Sequence, residues 1–394
     1  MAGRLSDSRT LKVADHSRQQ LNPDSPKSRR NFFMDNQELP KQRAIAALKS
    51  LFIGDALAMP VHWYYSVMDI ERQFPGGVTD FEDAPTHHPS SIMSLHSTSQ
   101  GGRGNSRRKA SAASEIVGDV ILKGKRKFWG IPNQHYHQQM VAGENTLNAH
   151  CAMALMKTLN RQGGQYSPDR FLGAYISLMT ADPAQHPDTY AESYHRGYFA
   201  NLQAGKPRDQ CGAVTHDTAS IGGLVTIAPI VIAARLRGVS LEHVAQQCHD
   251  HLLLTHPDET LVAVARGYVE LIDHLLFRDP AQDVREILSV FAKQSIGLDL
   301  KKLIGVSNND RSVIGQIFSP ACYISDSWPG VLYLTYKYAD SLLEGLIANT
   351  NLGGDNVHRG AVLGVLLGLI NGATDEDKFG RIANSSALQE DIAQ

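Results

Sequence analysis

The chain of 394 residues is 42% hydrophobic and carries 38 basic against 40 acidic side chains, a formal net charge of −2. Length and apolar content permit a substantial core, in one large domain or two ordinary ones, and no break in composition marks a second domain. Balanced charge leaves no broad electrostatic pull toward nucleic acid or an anionic membrane, so neither is expected as a partner.

Residues 1–41 are rich in Ser, Arg, Asp, Gln and Pro, lack the apolar core of a signal peptide, and contain Asp7, Asp15 and Asp24, which an acid-poor transit peptide would avoid. They read as a disordered tail. From residue 42, apolar residues recur at three- and four-residue spacing over 43–52, 147–159, 168–179, 221–236, 241–253, 260–275, 284–292, 329–348 and 360–371. Strand-like alternation is absent. The pattern predicts an all-α chain with one helical domain over 42–375.

Inside that domain residues 74–137 break the periodicity with Pro75-Gly76-Gly77, His87-His88-Pro89 and the basic cluster Arg103, Arg107, Arg108 and Lys109. An irregular insertion of this length is either disordered or a lid. Phe128, Trp129, His135 and Tyr136 near its end point to part of it folding over a site, whereas the basic cluster reads as a solvated loop. Residues 376–394 read as a C-terminal tail. No uncharged apolar run approaches the roughly 20 residues of a membrane helix. Cys151, Cys211, Cys248 and Cys322 are widely spaced without a CxxC pair, so a soluble, cytoplasmic protein with reduced thiols is expected.

Three polar corners sit at predicted helix ends: Gly54-Asp55-Ala56-Leu57-Ala58-Met59-Pro60-Val61-His62, Gly143-Glu144-Asn145-Thr146-Leu147-Asn148-Ala149-His150, and Asn351-Leu352-Gly353-Gly354-Asp355-Asn356-Val357-His358. A Gly-Gly-Asp turn feeding a helix directs backbone N–H groups and one carboxylate into a shared polar space, or simply caps a core helix. In the helix that follows, Gly360, Gly364 and Gly368 recur on one face, which weakens the helix unless another backbone must come close.

In order and spacing, these corners resemble the motifs of the ADP-ribosylglycohydrolase superfamily, which includes the dinitrogenase reductase-activating glycohydrolases and some jellyfish lens crystallins. There the pattern runs GDALG-x-P-x-E, then T-D-D-T before a helix, then N-x-GGD-T-D-T before a final Gly-rich helix. Thr255-His256-Pro257-Asp258 and the apolar stretch 221–234 with Pro229 extend the likeness to roughly residues 42–375. The resemblance implies a single large orthogonal helical domain and hydrolysis of an N- or O-glycosidic bond to ribose, in a small-molecule or ADP-ribosylated substrate. It also implies two hard divalent cations, which need several oxygen ligands.

The chain departs from that pattern at the metal positions. Leu147 and Asn148 stand where the two aspartates of the second motif would be, Val357 where the second aspartate of the third would be, and His62 where the glutamate of the first would be. Leu and Val cannot ligate, so a two-magnesium site is not expected. Two alternatives stay open. Asp355, Glu144 and His62 can serve as catalytic groups, with Asn145, Thr146, Asn148, Gly353, Gly354, Asn356 and His358 binding the ligand; or His62, His150, Asp355 and His358 can hold a single transition metal. Glu144 can equally complement a helix dipole. Asp55 is read as structural. The function expected is hydrolysis of an ADP-ribosyl or related ribosyl bond without the magnesium pair, the alternative being an inactive ligand-binding or crystallin-like member.

Overall fold

The structure, a computed structural model, describes residues 26–91 and 116–394, with side chains from residue 38 onward. It is all-α: among the described residues the only β pairing is a few isolated bridges. The chain divides into a unit of residues 1–39 and one of residues 40–394, and the second carries the core and the site. Of the expected N-terminal tail, residues 1–25 lie outside the described residues, while 26–41 open the helix Pro26–Ala58. The basic cluster at 103–109 also lies outside them.

Helices form where the apolar spacing placed them, and their ends are set by side chains that satisfy the unpaired backbone groups. Asp258 accepts from the N–H of Leu261 (2.9 Å) at the start of Glu259–Phe277, and Asp375 from that of Lys378 (2.8 Å) at the start of Glu376–Gly380. Gly297 and Gly372 end their helices in the left-handed conformation that costs glycine little. The predicted helix 329–348 is two helices, Ile324–Lys337 and Leu342–Thr350, with the break at Tyr338–Ser341. Residues 376–394, read as a tail, form the helices Glu376–Gly380 and Ser385–Ala393 instead, because Phe379, Ile382, Leu388 and Ile392 recur at helical spacing and reach the core. The segment Glu38–Val61 is apolar and long enough to cross a membrane, but 94% of its most apolar window is buried within the protein, as in a core helix.

The contact that positions the site is the crossing of the helix Pro26–Ala58 with the helix Asn356–Asn371. A Cβ added to Gly54 would stand 2.2 Å from the carbonyl oxygen of Gly360, one on Gly364 2.2 Å from that of Ser50, and one on Gly368 2.6 Å from Cα of Ala47. The glycine stripe therefore exists for backbone-to-backbone packing. The crossing brings the C-terminal end of one helix beside the N-terminal end of the other, although their residues are some 300 positions apart.

Gly364→Ala should lower stability by about 1–3 kcal/mol through overpacking, despite alanine's better helix propensity. Gly173→Ala, in the helix Pro168–Thr180 with nothing within 4 Å of the new methyl, should raise it by about 0.5–1 kcal/mol. Urea denaturation of the two variants checks the opposite signs.

Candidate functional site

Asp55 ties the first corner to the second. Its Oδ1 accepts from the backbone N–H of Thr146 (2.8 Å) and from Asn145 Nδ2 (2.8 Å), and its Oδ2 from the Thr146 hydroxyl (2.6 Å). Both carboxylate oxygens are thus engaged in positioning the helix Leu147–Arg161. The third corner is held to the first by backbone: Trp63 N–H donates to Gly354 O (2.8 Å) and Gly354 N–H to Tyr64 O (2.6 Å). Gly353 and Gly354 both lie at φ 63°, and a Cβ on either would meet the carbonyl oxygen of Tyr64 or Pro320 at about 2 Å. Trp63 itself sits at φ 67°, a strained conformation for a bulky residue, in the turn that presents His62. The buried Arg359 guanidinium donates to Gly353 O (2.8 Å) and to Asn349 Oδ1 (2.7 Å), bracing the turn from beneath.

On this frame a line of buried carboxylates and imidazoles runs through the protein. Asp355 Oδ1 lies 3.2 Å from His62 Nε2 and 2.7 Å from His358 Nδ1. His62 Nδ1 pairs with His137 Nε2 (2.7 Å), and His137 Nδ1 with Asp188 Oδ1 (2.8 Å). Asp188 also accepts from the N–H of Leu147 (2.8 Å) and of Tyr190 (3.0 Å), which places its charge at a helix N-terminus. On the other side His358 Nε2 is 2.8 Å from Asn148 Nδ2, which also donates to Glu192 Oε2 (2.7 Å). Asn148 Oδ1 accepts from the Tyr194 hydroxyl (2.6 Å) and pairs with His195 Nε2 (2.9 Å).

Buried together, these groups set one another's protonation. Burial pushes the Glu192 carboxyl up to about 8, partly countered by His358. Burial alone would raise Asp355 too, but His358 and His62 hold it well below the usual carboxylate range, as His137 does for Asp188. Burial drives His62 down to the neutral form. It opposes charge on His358 as well, yet Asp355 and Glu192 reverse the effect and raise it to about 10. Beside the cluster is a cavity of about 10 Å³, bordered by His62, His137, Leu147, Asn148, Glu192 and His358, with room for one water-sized particle.

The structure brings together His62, Asn148, Asp355 and His358 of the residues expected at a site. Asn145 and Thr146 adjoin them but are engaged with Asp55, and Gly353 and Gly354 form the supporting turn. Asn356 donates to Thr350 O (2.8 Å) and serves the turn as well. Glu144 lies outside the cluster, its Oε2 accepting from Val141 N–H (2.9 Å) across a local turn. His150 also faces away, toward His186 and an outer groove with Lys157 and Arg161, because two residues along a helix is more than half a turn from Asn148. It is therefore not part of any metal set with His62. Leu147 and Val357 are buried apolar side chains. His137, Asp188, Glu192 and Arg359 were not singled out from the sequence. His137 ends the insertion whose aromatic residues suggested a cover, and Trp129 and Tyr136 do pack on Tyr190 at the cavity wall (5.6 and 4.9 Å).

The sequence profile of the ADP-ribosylglycohydrolase family matches residues 36–375. Among solved structures, one described as an ADP-ribosylglycohydrolase-related protein complex superposes with a TM-score of 0.52 at 17% identity, covering 90% of this chain and 97% of its own. That likeness supports the fold. No curated protein matches the sequence.

Asp55→Ala should destabilise the protein by at least about 2 kcal/mol, since it strands the buried Thr146 N–H and hydroxyl and removes one of the two acceptors of Asn145 Nδ2. Glu144→Gln should stay within about 0.5 kcal/mol of the parent. Thermal denaturation of the pair distinguishes the carboxylate that organises the site from the one that does not.

Proposed function

The chain belongs to the ADP-ribosylglycohydrolase family, and from that membership we propose that it hydrolyses a glycosidic bond to ribose with Asp355 and Glu192 as its working carboxylates, without a pair of magnesium ions. One observation carries the reading: Asp355 Oδ2 and Glu192 Oε1 are buried without hydrogen-bond partners, on carboxylates that flank the same imidazole, with His358 Nδ1 2.7 Å from Asp355 and 3.7 Å from Glu192. Two carboxyl groups in unlike settings are the usual apparatus for an oxocarbenium-like transition state. Asp355, whose Oδ1 is approached by two imidazoles, is supported as the anion that stabilises positive charge on ribose or directs water. Glu192 Oε1 has no donor to support a charge, which suits a proton carrier to the leaving group.

Two hard cations do not fit these residues. The ligand positions at Leu147 and Val357 offer hydrocarbon, and the oxygens of Asp55 and Thr146 are consumed by each other. A second reading, an inactive ligand-binding or structural member, draws support from the cavity. A ribosyl ligand needs several hundred Å³, far more than the space of about 10 Å³ beside the cluster.

Turnover and thermal-shift assays against ADP-ribose, adenosine nucleotides and ribosylated amino acids decide between them. The hydrolase reading expects turnover that is insensitive to millimolar magnesium and reduced at least about 100-fold by Asp355→Asn and by Glu192→Gln, in variants whose circular dichroism is unchanged. Activity that EDTA abolishes and magnesium alone restores would refute the magnesium-free mechanism. Neither turnover nor a shift with any ligand would establish the structural reading.

A further inference from the structure

We propose that His62, Asp355 and His358 form a binding site for a single borderline divalent cation of the zinc class. This rests on the side-chain geometry and holds whether or not the cluster hydrolyses a glycoside.

The three side chains are buried, and one donor atom from each lies within 4.8 Å of the others. The separations of Asp355 Oδ1 from His62 Nε2 (3.2 Å) and from His358 Nδ1 (2.7 Å) approach the edges of a coordination polyhedron, since bonds of about 2.0–2.1 Å put neighbouring ligand atoms about 2.9–3.4 Å apart. Hydrogen bonding does not account for all of these atoms. Asp355 Oδ2 and Glu192 Oε1 have no partner, and His358 Nδ1, although close to Asp355, is not aligned to donate to it. Buried polar atoms in that condition are rare unless something binds them.

The surroundings of His62 supply an independent argument. A metal-bound imidazole generally directs its other ring nitrogen to a carboxylate or another acceptor, which fixes its tautomer. Here His62 Nδ1 meets His137 Nε2, and His137 Nδ1 meets Asp188, itself anchored by two backbone N–H groups. These contacts hold the His62 ring with its Nε2 directed at Asp355 Oδ1, where a cation would be shared between them. The charge of two carboxylates on the line is then offset by the ion.

Donor chemistry sets the selectivity. Two imidazoles and one carboxylate favour zinc, iron or nickel over magnesium or calcium, and Glu192 Oε1, 3.7 Å from His358 Nδ1, stands where it can take a further position or hold a bound water. The absence of any cysteine from the set argues against a thiolate site.

The test uses the untagged full chain, stripped with a chelator and titrated by equilibrium dialysis with zinc alone, with elemental analysis of the bound metal. One equivalent is expected, unaffected by millimolar magnesium, and cobalt(II) loaded into the stripped protein should give weak visible bands without thiolate charge transfer and be displaced by zinc. His62→Gln and His358→Gln should each weaken zinc binding at least about 100-fold, and the outer His137→Gln about 10–100-fold with the stoichiometry retained. Should the ligand variants fail to fold, His137→Gln and the cobalt spectrum of the parent still decide. Less than a fifth of an equivalent in the parent, or zinc binding that persists in folded His62→Gln and His358→Gln variants, would overturn the proposal, the latter placing the metal on other histidines. Hydrolysis by fully metal-free protein would leave the glycosidase reading standing while showing the ion is not its agent; zinc binding without hydrolysis would leave this inference standing alone.

Discussion

Backbone contact between two helices governs the rest of the molecule. Gly54, Gly360, Gly364 and Gly368 let the helix Pro26–Ala58 and the helix Asn356–Asn371 approach backbone to backbone, where a Cβ on any of these glycines would collide. Ridges-into-grooves packing with ordinary side chains would hold their axes 8–10 Å apart. His62 follows the end of the first helix and Asp355 precedes the second, so their 3.2 Å contact depends on that approach. Gly353 and Gly354 extend the same constraint to the turn, where carbonyl groups occupy the space a side chain would need.

The close approach confines titratable groups that water would otherwise separate. Asp188, His137, His62, Asp355, His358 and Glu192 interact as a unit, so removing one alters the protonation of its neighbours and single substitutions there are not additive. The strain at Trp63 fits the same picture. A tryptophan held at φ 67° persists because the turn around it is fixed by the two backbone hydrogen bonds to Gly354 and Tyr64. Stability lost there goes into presenting one imidazole.

Much of the fold was legible because periodicity survives burial: the helices over 147–161, 241–255, 259–277 and 284–296 lie where three- and four-residue spacing put them. The glycine stripe was legible for the same reason, since glycine in a helix calls for an explanation. Glu192 and Asp188 were not. They lie in a stretch without helical spacing before Ser193–Gln203, and a lone carboxylate in such a loop looks like a surface residue until the fold buries it. Glu144 drew attention by adjacency to a motif, yet adjacency in sequence does not determine direction: three residues before the helix Leu147–Arg161, its side chain accepts from the N–H of Val141. His150 failed for a similar reason, being two residues from Asn148 on a helix and so on another face. The C-terminal residues 376–394 were read as a tail because their apolar spacing is spread over two short helices.

The crossing that builds the site also has a bearing on how the chain is made. His62 and Asp355 are 293 residues apart in sequence, and the apolar face of the helix leading to His62 has its glycine-matched partner in the helix Asn356–Asn371. During synthesis at about 5–20 residues per second, that face emerges about 15–60 s before the helix that covers it. For that interval a newly made chain carries the helix without the partner that packs against its glycine, and the final packing of that face awaits synthesis of residues 356–371.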